Sequence, residues 1–237
     1  MSAAVIVGAS GGIGRALVAA IAAGDLHDSV FALSRSSVSQ LRSVRSLPVE
    51  VRDEASIAEA ARTVGASGPV GLLIVASGIL HGPDISPEKA VRSLDPAAMA
   101  AVFAVNTIGP ALVAKHFLPL MPRRERCVFA ALSARVGSIG DNRLGGWYAY
   151  RASKAALNQV LRTLSVEAAR THPELIVVGL HPGTVQTALS RPFRPQAEVP
   201  GVFTPEESAA HLLRVVDGLT IGDTGRTFAW DGQPIPN

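Results

Sequence analysis

The feature that most constrains this chain is a glycine-rich turn joined directly to its first apolar run. Ala3 to Val7 is a short apolar segment, and Gly8-Ala9-Ser10-Gly11-Gly12-Ile13-Gly14 carries it into an alanine-rich stretch at 12–23. A buried strand that passes through a tight glycine turn into a helix leaves backbone amides converging on one place. The helix N-terminus favours negative charge there, as a pyrophosphate would supply. Gly8, Gly12 and Gly14 follow G-x-x-x-G-x-G, while the Walker pattern G-x-x-x-x-G-K-[ST] is absent. A nucleoside triphosphatase is therefore disfavoured.

The same rhythm continues along the chain. Further apolar runs at Ser29–Leu33, Leu47–Val51, Val70–Ala76, Cys127–Leu132, Leu175–His181 and Thr227–Ala229 read as buried strands. Between them, 54–65, 97–119, 149–171 and 205–217 carry helical spacing. Strands apolar on both faces need cover on both sides, which helical crossovers supply. The expectation is one α/β domain over 1–237, a doubly wound, mostly parallel sheet of seven strands with helices on both faces. Ligands of such sheets bind beyond the carboxyl ends of the strands. The long irregular stretches 134–147 and 184–204 are the natural places for function.

Composition excludes several classes. Hydrophobic residues make up 48% and charged residues 17%, so the chain can bury a core and is not a disordered polymer. The net charge is only +3 and the arginines are scattered, with Arg123-Arg124-Glu125-Arg126 the densest run; this reads as a solvated loop, and no nucleic-acid partner is expected. The single cysteine, Cys127, lies in an apolar run and reads as an inert buried thiol suited to a reducing compartment. No basic leader precedes Gly8 and no apolar run is long enough to span a bilayer, so a cytoplasmic protein with no membrane partner is expected. No metal-ligand cluster is evident.

At the end of the second apolar run stands Leu33-Ser34-Arg35. NAD is normally held at this point by a carboxylate on the adenosine ribose, a role Ser34 cannot fill. Arg35 offers a guanidinium fork matched to a 2′-phosphate, so NADP(H) is favoured over NAD(H). The alternative is that Arg35 is a solvated surface residue.

Tyr150-Arg151-Ala152-Ser153-Lys154 sets a phenol and an ammonium four residues apart, on one helical face, and Lys154 is one of only three lysines. A free tyrosine titrates near about 10, and an adjacent cation is expected to lower that value. Tyr150 could then hand a proton to a carbonyl oxygen as hydride reaches the carbon. Asn106 precedes Pro110 by four residues. A proline lacks the amide that would bond the carbonyl four residues back, so the Asn106 carbonyl is left free to hold a water that links Lys154 to solvent. The competing reading is that Gly109-Pro110 merely kinks a long helix.

Taken together, the glycine turn Gly8 to Gly14, Asn106, Ser133, Tyr150 to Lys154 and Pro182-Gly183 resemble the short-chain dehydrogenase/reductase family over essentially the whole chain. Gly137-Ser138-Ile139-Gly140-Asp141-Asn142 and Tyr148-Ala149-Tyr150-Arg151 further resemble its C-factor and sniffer-like carbonyl reductases.

The resemblance implies a Rossmann fold, a homodimer or homotetramer, and hydride exchange between a nicotinamide cofactor and a small carbonyl compound or secondary alcohol. It implies Tyr150 as acid and base, Lys154 lowering its pKa and holding the cofactor ribose, Asn106 in a proton relay, and Ser133 positioning the substrate. The family's second serine is Ala134 here, so Ser138 is the alternative to Ser133.

The implied cofactor contacts are Gly8, Ser10, Gly11, Gly12, Ile13, Gly14, Ser34, Arg35, Glu50, Val51, Ala76, Ser77, Gly78, Tyr150, Lys154, Pro182, Gly183, Val185 and Thr187. Val75-Ala76-Ser77-Gly78 departs from the family's Asn-Asn-Ala-Gly. The stretch from Ala188 to Pro205 resembles a substrate lid, and Trp147, Tyr148, Leu189 and Phe193 point to an apolar substrate. The glycine spacing also admits extended relatives such as epimerases, which need a second domain for which the chain after Pro182-Gly183 has little room. A non-catalytic NADPH-binding regulator is the alternative of another class.

Overall fold

The computed structural model describes residues 2–24, 26–36, 43–193 and 201–236. In chain order the strands are β1 (Ala3–Val7), β2 (Ser29–Ser34), β3 (Val44–Pro48), β4 (Val70–Val75), β5 (Cys127–Leu132), β6 (Leu175–His181), β7 (Thr184–Val185), β8 (Val202–Phe203), β9 (Thr227–Ala229) and β10 (Pro234–Ile235). The helices are α1 (Gly12–Ala22), α2 (Glu54–Gly65), α3 (Pro96–Phe103), α4 (Gly109–Phe117), α5 (Tyr148–Ala168) and α6 (Pro205–Gly218). The main sheet has the order β10-β9-β6-β5-β4-β1-β2-β3 and is parallel except for β10.

Side-chain alternation along β1 explains the two helical layers. Ala3, Val5 and Val7 face one side and pack in a core with Ile57 and Val64 of α2, Val113 and Phe117 of α4, and Leu157 and Leu161 of α5. Ala4 and Ile6 face the other and pack with Leu17 and Ile21 of α1 and Leu212 and Val216 of α6. Burial of each large apolar side chain contributes about 1.5–3 kcal/mol, so neither layer is dispensable. Cys127 lies in the first of these cores, and burial pushes its thiol up to about 11. The thiol therefore keeps its proton at neutral pH.

Four expectations need correction. The sheet has eight strands, because the chain turns at Gly232 (φ +81°) and pairs Pro234 with Phe228. Two residues are too few to show a period in the sequence. The third strand is Val44–Pro48 rather than Leu47–Val51. As an edge strand paired only with β2 it carries the polar Arg45 and Ser46, so an apolar pattern misplaces it.

The expected helix 97–119 is divided by a π-helical segment, Ala104–Ile108, in which the Gly109 amide donates to the Ala104 carbonyl five residues back. This wider turn accommodates Pro110, whose missing amide would otherwise break the ladder. Finally, the run Pro96–Leu120 is long and apolar enough, by length and composition, to cross a membrane. In the fold this run covers the sheet, with Val113 and Phe117 fully buried.

Leaving β1, the chain fills the sheet first through β2 and β3, then on the other side through β4, β5 and β6. The crossovers on either side of β1 leave a crevice beyond its carboxyl end, the place where ligands of such sheets bind.

Candidate active site

The glycine turn is required by backbone contact. Gly8 has φ +88°, and a Cβ there would lie 2.5 Å from the Ser77 amide nitrogen; one on Gly14 would lie 2.3 Å from the Gly8 carbonyl oxygen. Gly11 is the N-cap of α1, no side chain caps that terminus, and no acidic residue occupies its first turn. The amides there remain available to an anion. Beyond the turn opens a cleft of about 490 Å³, lined by Gly8, Ser10, Gly11, Ser34, Arg35, Glu50, Val51, Ala76, Ser77 and Gly78 among others. Ten of the residues expected at a dinucleotide thus share one cavity.

The remaining expected contacts do not line this cavity. A Cβ on Gly12 would meet the Thr187 methyl at 2.9 Å, which places the segment after β7 against the first turn of α1, where Ile13 and Gly14 follow. Gly183 has φ +78° and is closed in by Phe203 and Trp230, the Pro182 carbonyl accepts from the Ser208 hydroxyl at 2.9 Å, and Val185 pairs with Phe203. The Ser77 hydroxyl oxygen is buried at the cleft with no partner among the described residues, a polar group that a bound ligand would satisfy. The open glycine turn, the uncapped helix start and this orphan hydroxyl all fit a nicotinamide dinucleotide.

At the adenosine end, the Ser34 hydroxyl donates to the Ser36 carbonyl at 2.6 Å. The Glu50 carboxylate accepts from the Arg52 amide at 3.1 Å and from its guanidinium Nε and Nη2 at 3.2 Å each. Arg52 holds that carboxyl below its ordinary value, with Arg35 adding a smaller contribution. Arg35 is exposed and makes no ion pair among the described residues. Glu50 is therefore occupied by Arg52, and Arg35 lines the cleft with no ion pair among the described residues.

Tyr150 and Lys154 lie one turn apart on α5, beside the end of β5. The Lys154 ammonium is 5.9 Å from the Tyr150 ring centroid and donates to the Leu132 carbonyl at 2.7 Å. Lys154 is only 3% exposed, and burial brings its ammonium down to about 8. Tyr150 keeps some accessible surface, yet burial pushes its phenol up to about 12. The expected lowering of Tyr150 is not present in the free protein. The ammonium stands over the ring and directs its proton at Leu132, so desolvation outweighs the neighbouring charge.

Asn106 sits in the π segment and is fully buried. Its side-chain amide donates to the Ile79 carbonyl at 2.9 Å and to the Ser153 hydroxyl at 3.1 Å, and its oxygen accepts from the Ile79 amide at 2.8 Å. A Cβ on Gly78 would stand 3.5 Å from the Asn106 oxygen and 3.7 Å from the Lys154 ammonium. Asn106, Gly78 and Lys154 are thus gathered at one point. Ser133 is different: it is buried, and its hydroxyl donates to Asn158 Oδ1 at 2.6 Å. A hydroxyl has one proton, so Ser133 as placed has none for a substrate carbonyl. Ser138 is buried one residue beyond Gly137, which packs against Lys154, and its hydroxyl oxygen accepts from the Asp141 amide at 3.1 Å.

The conformation of Trp147 and the place of His81 were not legible in sequence. Trp147, the N-cap of α5, adopts φ 51° and ψ 45°, a conformation costing a bulky residue about 1–3 kcal/mol. Its ring meets Tyr150 and Phe193 edge-on at 6.2 and 5.2 Å between centroids, and Phe193 meets His81 at 5.6 Å. Trp147, Phe193 and His81 form the aromatic wall, whereas Tyr148 points outward, 39% exposed. Leu189 lines the cleft. Of the expected lid, 194–200 lie outside the described residues. His181, at the end of β6, is held down to about 4 by burial and Arg135, and stays neutral.

Comparison with known proteins agrees with this geometry. The family model for short chain dehydrogenase matches residues 2–198. C-signal of Myxococcus xanthus is 36% identical over 72% of this chain and 94% of its own length. The NADPH-bound carbonyl reductase from chicken fatty liver superposes with a TM-score of 0.87 at 27% identity, covering 100% of this chain and 94% of that one. The carbonyl reductase Sniffer of Drosophila melanogaster shares the fold, with a TM-score of 0.86 at 22% identity over the whole of both chains. The subgroup resemblance is thereby met. A family match that runs from β1 past the Tyr150–Lys154 pair, on a fold that assembles both halves of the site, makes this chain a member of the short-chain dehydrogenase/reductase family of oxidoreductases.

Proposed function

We propose that the protein is an NADPH-dependent carbonyl reductase that converts a small apolar aldehyde or ketone to an alcohol. The observation that carries this reading is the buried Tyr150–Lys154 pair at the edge of the dinucleotide cleft. Hydride to the carbonyl carbon is the chemistry a bound NADPH supplies. The turn Gly8 to Gly14 would hold the pyrophosphate, Arg35 the 2′-phosphate, and the segment Pro182 to Thr187 the nicotinamide end. The Ser77 hydroxyl would find its partner there.

Tyr150 donates its phenolic proton to the carbonyl oxygen. A phenol held near 12 is fully protonated at neutral pH, which suits an acid and therefore the reductive direction. Lys154, still largely cationic below about 8, stabilises the phenolate left behind, and Asn106 beside it gives the relay a fixed polar end. Ser138 supplies the hydroxyl directed at the substrate, because the Ser133 proton is committed to Asn158. The exposed Ile108 and Val166, on the π segment and α5, support a homodimer or homotetramer.

One observation favours a second reading, an NADPH-binding regulator. Ala134 has no hydroxyl, and that of Ser133 is engaged elsewhere. Titration with NADPH and NADH by fluorescence, followed by NADPH oxidation with a panel of aldehydes, ketones and quinones, separates the two. Turnover supports the reductase. Tight NADPH binding without turnover supports the regulator.

A further inference from the structure

Helix α5 starts without a capping side chain of its own, and the acceptors it needs come from a distant loop. Trp147 at its N-cap has no carboxylate, hydroxyl or amide to offer, and is the only non-glycine residue with positive φ among those described. The first amides of a helix lack partners within it and must find them elsewhere. Glu88 provides two acceptors: its backbone carbonyl takes the Trp147 amide at 2.5 Å and its side-chain Oε2 takes the Ala149 amide at 3.2 Å.

Glu88 is an unusual residue to find there. Among the described residues, Glu88 and Lys154 are the only buried side chains of the Asp, Glu, Lys and Arg types. A carboxylate is removed from water at a cost unless donors replace the water, and the start of a helix provides both donors and a favourable dipole. Gly146, at φ +64°, lets the chain pass closely: a Cβ there would stand 3.4 Å from the Glu88 carbonyl oxygen. What Glu88 grips is the turn that carries the site. Ala149 directly precedes Tyr150, and Trp147 packs edge-on against Tyr150 and Phe193.

We infer that Glu88 is a positioning residue: by holding the Trp147 and Ala149 amides it sets the first turn of α5, and so places both the Tyr150 hydroxyl and the Trp147 wall of the substrate site. Its catalytic consequence rests on the reductase reading, while its geometric consequence does not. Glu88 touches no reacting atom. It acts through the turn it fixes, and a shift of that turn by about 1 Å is enough to lower a rate a hundredfold.

The test compares Glu88→Gln and Glu88→Ala. Glutamine keeps an acceptor oxygen for the Ala149 amide; alanine removes it. The expected result is a fall in kcat of about tenfold or more in Glu88→Ala, with NADPH affinity within about twofold of the parent, and restoration by Glu88→Gln to within about threefold. A second readout needs no turnover. The chain has two tryptophans, so in a Trp230→Phe background the emission reports Trp147 alone; it should move to longer wavelength in Glu88→Ala and stay in place in Glu88→Gln. Should Glu88→Ala fail to fold, Glu88→Asp, which withdraws the carboxylate by one methylene, takes its place with the same expectations. Unchanged emission, or kcat lost equally with glutamine, overturns the inference. If the parent turns over no carbonyl substrate, the reductase reading fails by itself, and the emission decides the positioning.

Discussion

Lys154 holds its ammonium 5.9 Å from the centroid of the Tyr150 ring while donating to the Leu132 carbonyl at 2.7 Å. Both groups are buried, and burial moves them from their ordinary values in opposite directions. Burial raises the phenol to about 12 and lowers the ammonium to about 8. At neutral pH the phenol keeps its proton and the ammonium keeps most of its charge, an arrangement that gives protons more readily than it takes them.

The buried ammonium makes stability depend on pH. Below about 8 Lys154 is charged in both the folded and unfolded states, and the fold bears the full cost of its burial. Between that value and the ordinary one of about 10.5 the folded protein releases the proton first, so stability rises with pH through this window. Lys154→Met removes the group. Its stability relative to the parent should therefore be greatest at pH 7 and decline by up to about 3 kcal/mol as pH approaches 10.5. Urea unfolding of both proteins across that range measures the difference, and a difference independent of pH would contradict it.

Catalysis should follow the same titration. The value of kcat/KM for a carbonyl substrate reports groups of the free enzyme. It should fall as pH rises through about 8, when Lys154 loses the charge that stabilises the phenolate. A profile flat from about pH 6 to 10 would remove Lys154 from that role.

Arg35 should select the cofactor. It lines the cleft and makes no ion pair among the described residues, whereas Glu50 is already bound by Arg52. Arg35→Ala should weaken NADPH binding about ten- to hundredfold, the worth of hydrogen bonds to a charged group, and leave NADH within about twofold. Fluorescence titration with each nucleotide reads the ratio. Equal losses for both would assign selectivity elsewhere.

The two serines should separate cleanly. Ser133→Ala removes a donor to Asn158 and should lower stability by about 1 kcal/mol with little change in kcat. Ser138→Ala should lower kcat about tenfold or more, as the loss of a hydrogen-bond donor to the reacting oxygen does. The reverse pattern would return the substrate-directed role to Ser133.

The sequence carried the sheet and the cofactor cleft because both rest on local, repeated signals. Apolar runs read true wherever both faces are covered, as in β1, β5 and β6. They misled at β3, where the sheet edge tolerates Arg45 and Ser46, and β10 was too short to be seen. Around the site, Tyr150 and Lys154 were legible because four residues make one helical turn. Glu88 was not: its hydrogen bond to Ala149 joins positions 61 apart and leaves no periodic trace. The direction of the Tyr150 shift was likewise hidden, since residue spacing places a cation nearby but says nothing of how deeply the phenol is buried.

The most direct test of the central claim is steady-state oxidation of NADPH by the parent protein and by Tyr150→Phe, across aldehydes, ketones and quinones. The expected result is turnover by the parent with at least one carbonyl class, and a loss of about 10²- to 10⁴-fold in kcat in the variant with NADPH binding retained. Turnover that survives in Tyr150→Phe, or a parent that binds NADPH and reduces nothing, would contradict the account.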